Sequence, residues 1–135
     1  MKLNPYDIEC ISLARDLLLK NIRQNRTIAN LAQEAGINEN KLKKGFKLLF
    51  GSSVHAFLVQ ARLEKALLLL EETDKSVKEI GMMTGYKRLS SFTKAFKKVY
   101  GLSPLFWRKE RKNIPMAIPA AIQNIQLLQK NYDSE

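Results

Sequence analysis

Residues 76–104 read SVKEIGMMTGYKRLSSFTKAFKKVYGLSP. The stretch opens on a capping box: Ser76 stands three residues ahead of Glu79, where its hydroxyl can accept a first-turn N–H. Val77, Ile80 and Met83 follow at helical spacing until Gly85, a residue able to leave a helix in the left-handed conformation. A second helix is predicted around Leu89 to Tyr100, with Phe92, Phe96 and Tyr100 on one face and Gly101 as its stop. Pro104 then initiates another helix, through Phe106 and Trp107 to about Lys112. Short helix, glycine turn, longer helix is the helix-turn-helix arrangement.

The same pattern occurs earlier, in residues 27–53, TIANLAQEAGINENKLKKGFKLLFGSS. Ile28, Leu31, Gly36 and Ile37 recur 49 positions later as Val77, Ile80, Gly85 and Tyr86. Leu42, Phe46, Lys47, Phe50, Gly51 and Ser53 recur 50 positions later as Phe92, Phe96, Lys97, Tyr100, Gly101 and Ser103. The slip of one residue falls in or just after the turn, where an insertion costs little. Thr27 and Asn38 are the expected caps of the first copy's two helices, and Gly36 and Gly51 their stops. Gly45 lies inside the second of these helices, where glycine costs about 1 kcal/mol relative to alanine. Its repeat partner is Ala95, so the position is read as a close-packing site beneath a neighbouring helix.

Outward from the repeat, helical periodicity continues and no stretch alternates as a strand would. Asp7 is expected to cap a first helix built on Ile8, Ile11, Ala14, Leu17, Leu18 and Ile22, which the polar run Asn21 to Arg26 ends. Between the copies a long helix is predicted from about Ser53 to Glu72, with Val54, Phe57, Leu58, Ala61, Ala66, Leu67 and Leu70 facing inward. Pro115 and Pro119 break the chain before an amphipathic tail carrying Ile122, Ile125 and Leu128.

The formal charge of +10 and a pI near 9.8 ask for an anionic partner, nucleic acid or an anionic membrane face. From Lys87 to Lys112 the chain holds nine basic residues and one acidic residue, Glu110. Cys10 is the only cysteine, which leaves no disulfide framework and no cysteine-based zinc site; it is read as a small buried hydrophobe. His55 is the only histidine, and no metal site, catalytic residue or cofactor loop can be assembled around it. An enzyme is therefore not expected. The longest apolar run, Ala66 to Leu70, is far short of the ~20 residues that span a bilayer. The aromatic residues recur at core spacing rather than as an exposed stacking surface, which disfavours an RNA binder. A basic helical protein-interaction or RNA-binding module is the alternative reading.

Gly85-Tyr86, Ser91 to Lys98, Tyr100 to Pro104 and Trp107-Arg108 together resemble the signature of the arabinose-regulator (AraC/XylS) family. The resemblance covers about Ile8 to Arg111, with the first repeat, Ile28 to Gly51 around its Lys41 to Lys47 core, similar to the family's less uniform first unit. It implies an all-α fold: two helix-turn-helix subdomains, homeodomain-like three-helix units, joined by a long linker helix. The expected organisation is a lead over 1–7, subdomains over 8–52 and 74–112, the linker over 53–73 and an extension over 113–135. The implied function is a sequence-specific transcription regulator that inserts two recognition helices into adjacent major-groove segments. Base-reading positions carry over to Asn40, Lys43 and Lys44 on the first recognition helix, and to Arg88, Leu89, Ser90, Ser91 and Lys94 on the second. Lysine suits guanine, asparagine suits adenine and serine suits either. Leu89 departs from the polar residue common there, and two readings stay open: packing on a thymine methyl, or shielding the turn. Phosphate contacts are assigned to Lys41, Lys47, Lys87, Lys97, Lys98, Arg108 and Lys109. The partners implied are double-stranded DNA, and RNA polymerase if the protein is an activator; no membrane partner and no cofactor are expected. The tail is expected to dock back on its own domain, with dimerisation through residues 120–132 or through a sensor domain absent from this chain as the alternative; the location expected is the cytoplasm, with the nucleoid. The module is either freestanding or the DNA-binding piece of a longer regulator.

Overall fold

The computed structural model describes residues 2–110. Among them every regular element is an α-helix: α1 Pro5–Lys20, α2 Ile28–Ala35, α3 Glu39–Phe50, α4 Val54–Glu72, α5 Val77–Met83, α6 Leu89–Tyr100 and α7 Pro104–Glu110. The chain divides into two compact units, residues 1–65 and 66–135, with the boundary inside α4.

In the first unit α1 starts earlier than Asp7. Proline is tolerated at a helix's first position because no N–H is needed there, so Pro5 moves the start upstream. Asn4 is the cap: its side chain accepts the Asp7 N–H at 2.8 Å, and the Asp7 carboxylate accepts the Asn4 N–H at 3.1 Å. With this start the buried stripe becomes Asp7, Cys10, Ile11, Ala14 and Leu18, while Ile8 faces solvent. Thr27 and Asn38 cap α2 and α3 through the N–H groups of Asn30 and Lys41. Gly36, between them, has a φ of +79°, a conformation that costs glycine nothing and any other residue a clash at Cβ. Leu31, Ala32 and Ala35 of α2 pack with Leu42 and Phe46 of α3, and Val54 and Leu58 close the same core from α4. Phe46 meets Phe50 and Phe57 edge-on, with ring centroids 4.8 and 5.3 Å apart. Gly45 has the close-packing role: a Cβ there would collide with Cδ1 of Ile11 on α1. Arg62, outside the expected inward set of α4, is buried.

The second unit repeats the plan with different details. Ser76 caps α5 by accepting the Glu79 N–H at 3.0 Å, but Glu79 accepts from the Ser76 hydroxyl rather than from the backbone. Only half of the expected box forms. α5 ends at Met83, with Thr84 rather than Gly85 as its C-cap; the fully buried Thr84 hydroxyl donates to the carbonyls of Ile80 and Gly81, at 2.9 and 3.1 Å. Gly85 follows with φ +109° and leads into the turn. Ile80, Phe92, Phe96, Tyr100 and Trp107 form the core, with Ala66 and Leu70 of α4 also buried. Ser103 caps α7, with Pro104 as its first residue. The expected end of that helix at Lys112, the extension 113–135 and its assigned dimer contact lie outside the described residues.

Candidate nucleic-acid interface

A helix that packs on a core with one face presents the other to solvent, and three- and four-residue spacing decides which residues share it. On α3 the face opposite Leu42, Gly45 and Phe46 carries Asn40, Lys43, Lys44 and Lys47, all exposed. On α6 the face opposite Phe92, Phe96 and Tyr100 carries Ser90, Ser91, Lys94, Lys97 and Lys98, also exposed. Within each unit the structure thus gathers one polar, cationic face on the second helix of its helix-turn-helix. The four lysines Lys44, Lys47, Lys94 and Lys97 correspond pairwise across the repeat at 50 residues. Lys87 and Arg88 are exposed in the turn before α6, Leu89 is 48% exposed at its first position, and Lys109 is exposed on α7.

The N-terminus of α6 differs from every other helix start among the described residues. Asn4, Thr27, Asn38, Ser53, Ser76 and Ser103 each accept a first-turn N–H with a side-chain oxygen. Arg88 occupies the equivalent place at α6 and makes no such bond.

Two of the residues expected to contact phosphate also have partners inside their own unit. Lys41 lies 3.3 Å from the Asp7 carboxylate, which is buried on α1, so its ammonium ties α3 to α1. Arg108 points back along its own unit and donates to the carbonyls of Leu70 at 3.3 Å, Thr73 at 3.2 Å and Lys75. Asp7, expected only as a helix cap, is buried, and Arg62 and the fully buried Leu63 lie outside the inward set expected of α4. Asp7 was legible as the third residue after an Asn-Pro helix start. Arg62 stands one turn from both Leu58 and Ala66 on the inward stripe of α4, a cation where the pattern asks for an apolar residue.

Among the described residues no cluster of histidine, cysteine and carboxylate could hold a metal ion, and no helix is long and apolar enough to cross a membrane. His55 is exposed in the first turn of α4. Of the aromatic residues, Phe46, Phe92, Phe96 and Tyr100 are wholly buried, which removes them from any stacking surface.

Residues 31–110 match the family described as a helix-turn-helix domain. The HTH-type transcriptional regulator MtrA of Neisseria gonorrhoeae is 39% identical over 83 residues, covering 62% of this chain and 28% of that protein. The xylose operon regulatory protein of Escherichia coli K12 is 33% identical over 105 residues, 78% of this chain and 26% of the relative. The chain therefore spans about a quarter of the length of these curated relatives. Among solved structures, the C-terminal domain of AraT, a response regulator from Geobacillus stearothermophilus, superposes with a TM-score of 0.71 at 30% identity. That superposition covers 81% of this chain and 88% of the other.

Proposed function

Because the chain belongs to the AraC/XylS-type helix-turn-helix family, we propose that it is a sequence-specific DNA-binding module of a transcription regulator. The observation that carries this reading is the pair of second helices, α3 and α6. Each has one face buried in its own unit and an opposite face of lysine, asparagine and serine with no acidic residue among those named. A helix is the element that fits the major groove of B-form DNA, and those side chains match its donor and acceptor edges. Asn40, Lys43 and Lys44 read bases from the first unit; Arg88, Leu89, Ser90, Ser91 and Lys94 read them from the second. Lys47, Lys87, Lys97, Lys98 and Lys109 engage phosphates, fixing orientation without carrying sequence information. RNA polymerase is the further partner if the protein activates, and the cytoplasm is its place of action.

Selection of bound duplexes from a random pool, followed by titration across salt concentrations, tests the proposal. A preferred site should emerge, and log affinity should fall linearly with log salt, at a slope of about −0.9 for each phosphate neutralised. A flat salt plot, or a pool that stays random, would overturn it.

A further inference from the structure

We propose that Arg62 and Arg108 are positioning residues for DNA reading, each holding the loop that delivers the first helix of a helix-turn-helix. Arg62 on α4 donates from Nε to the Ile22 carbonyl at 2.6 Å, and from Nη2 to the Asn25 side chain at 2.8 Å and the Gln24 carbonyl at 3.4 Å. That loop ends at Thr27, the cap of α2. In the second unit, Arg108 on α7 binds the Leu70 carbonyl in the last turn of α4 and the Thr73 and Lys75 carbonyls of the loop after it, and that loop ends at Ser76, the cap of α5. In both units, then, the helix that follows the recognition helix returns a guanidinium to the segment that precedes the first helix.

The two arginines are not repeat equivalents. They stand 46 residues apart, whereas the first helices repeat at 49 and the recognition helices at 50. One acceptor of each does correspond: the carbonyls of Gln24 and Thr73 are 49 residues apart. The two units thus reach the same carbonyl position from different registers of the closing helix, which makes that position, rather than the arginine's place in the sequence, the shared feature. In a helix-turn-helix the first helix crosses the phosphate backbone while the second enters the groove. Holding the loop therefore sets where the N-termini of α2 and α5 stand when α3 and α6 are seated. A guanidinium is suited to this because its planar fork aims several N–H groups at separate acceptors, whereas an ammonium offers one compact donor centre.

This inference rests on the DNA-binding reading, and Arg108 is the place to test it because its side chain is partly exposed. The experiment uses the full chain and the duplex recovered by pool selection. Arg108→Lys and Arg108→Met are compared with the native chain below the melting temperature of all three, across a range of salt. Both variants should bind about tenfold or more weakly, the equivalent of losing one charge-assisted hydrogen bond, with the native salt slope retained. Lysine at 108 should not rescue. If Arg108→Lys binds as the native chain does, or if Arg108→Met flattens the slope by about 0.9, the arginine is a phosphate contact and the inference falls. It falls equally if both variants melt lower but bind normally, since the clasp then serves stability alone. Failure of the native chain to bind any duplex would remove the DNA reading itself, a result distinct from variants that match a binding native chain.

Discussion

The two recognition helices begin in opposite ways. At α3, Asn38 accepts the Lys41 N–H, and Lys41 in turn meets the buried Asp7 carboxylate, so the helix start is held from inside and from α1. At α6 the cap position holds Arg88, which makes no capping bond, and the next residue is an exposed leucine. An asparagine cap is worth about 1 kcal/mol. The first unit keeps that stabilisation at its recognition helix; the second gives it up for a cation and an apolar side chain at the end of the helix proposed to enter the groove. The first unit fixes its recognition helix with a cap and an ion pair, whereas the second leaves Arg88 and Leu89 exposed at the start of its own.

A parallel exchange occurs in the cores. Gly45 lets α3 approach Ile11 of α1, and its repeat partner is Ala95. In the second unit the close approach moves to Gly81 of α5, where a Cβ would stand 2.9 Å from the ring of Phe92, and its repeat partner is Ala32. Each unit removes one side chain to bring two helices together, but on a different helix. The second unit needs the space beside its aromatic row, in which Phe96 and Tyr100 lie 4.6 Å apart.

The largest test of this comparison is the core. Phe96→Ala should cost about 3–5 kcal/mol, and Phe46→Ala a similar amount, because each removes a fully buried ring. Thermal or urea denaturation measures both, and a loss under about 1 kcal/mol at either site would mean that the unit closes over the gap. Next in size are Lys44→Ala and Lys94→Ala, equivalent positions in the repeat. Each should weaken binding to the preferred duplex by about 1–3 kcal/mol and relax preference at its own base position. Uniform weakening across all sequences would reassign both lysines to phosphates and erase the proposed division between readers and clamps. The smallest effects fall on the caps. Asn38→Ala should destabilise by about 1 kcal/mol, whereas Arg88→Asn should stabilise by a comparable amount and at the same time reduce DNA affinity. Melting curves and duplex titrations on the same two variants decide this. An Arg88→Asn chain that is more stable and binds as tightly would show that the uncapped start of α6 serves no reading role.

Much of the fold could be read from residues close together in the chain. Thr27, Asn38, Ser76 and Pro104 announce helix starts within four residues of themselves, and Gly36, Gly51 and Gly101 announce stops. The aromatic and aliphatic positions spaced at three and four residues became the two cores. The basic faces of α3 and α6 follow from the same periodicity, since what is opposite a core stripe must be exposed. Where the reading went astray locally, at Asp7, two signals competed: Pro5 at the first helical position outweighed the aspartate's preference for the cap. The intramolecular partners of Arg108 and Lys41 were not legible, because nothing in a sequence tells a lysine facing solvent from one facing a buried carboxylate.

Local patterns thus carry the all-helical class, the tandem repeat, the caps of α2, α3 and α5, the glycine stops of α2, α3 and α6, and which face of each recognition helix is polar. These depend on periodicity and on hydrogen bonds reaching three or four residues. Tertiary packing alone brings Asp7 to Lys41 across 34 residues and turns Arg62 and Arg108 back onto segments 33 to 40 residues away. The physical reason is one of range. A helix announces itself through its own backbone, but the partner of a long charged side chain depends on where folding returns a distant segment, and no local pattern encodes that return.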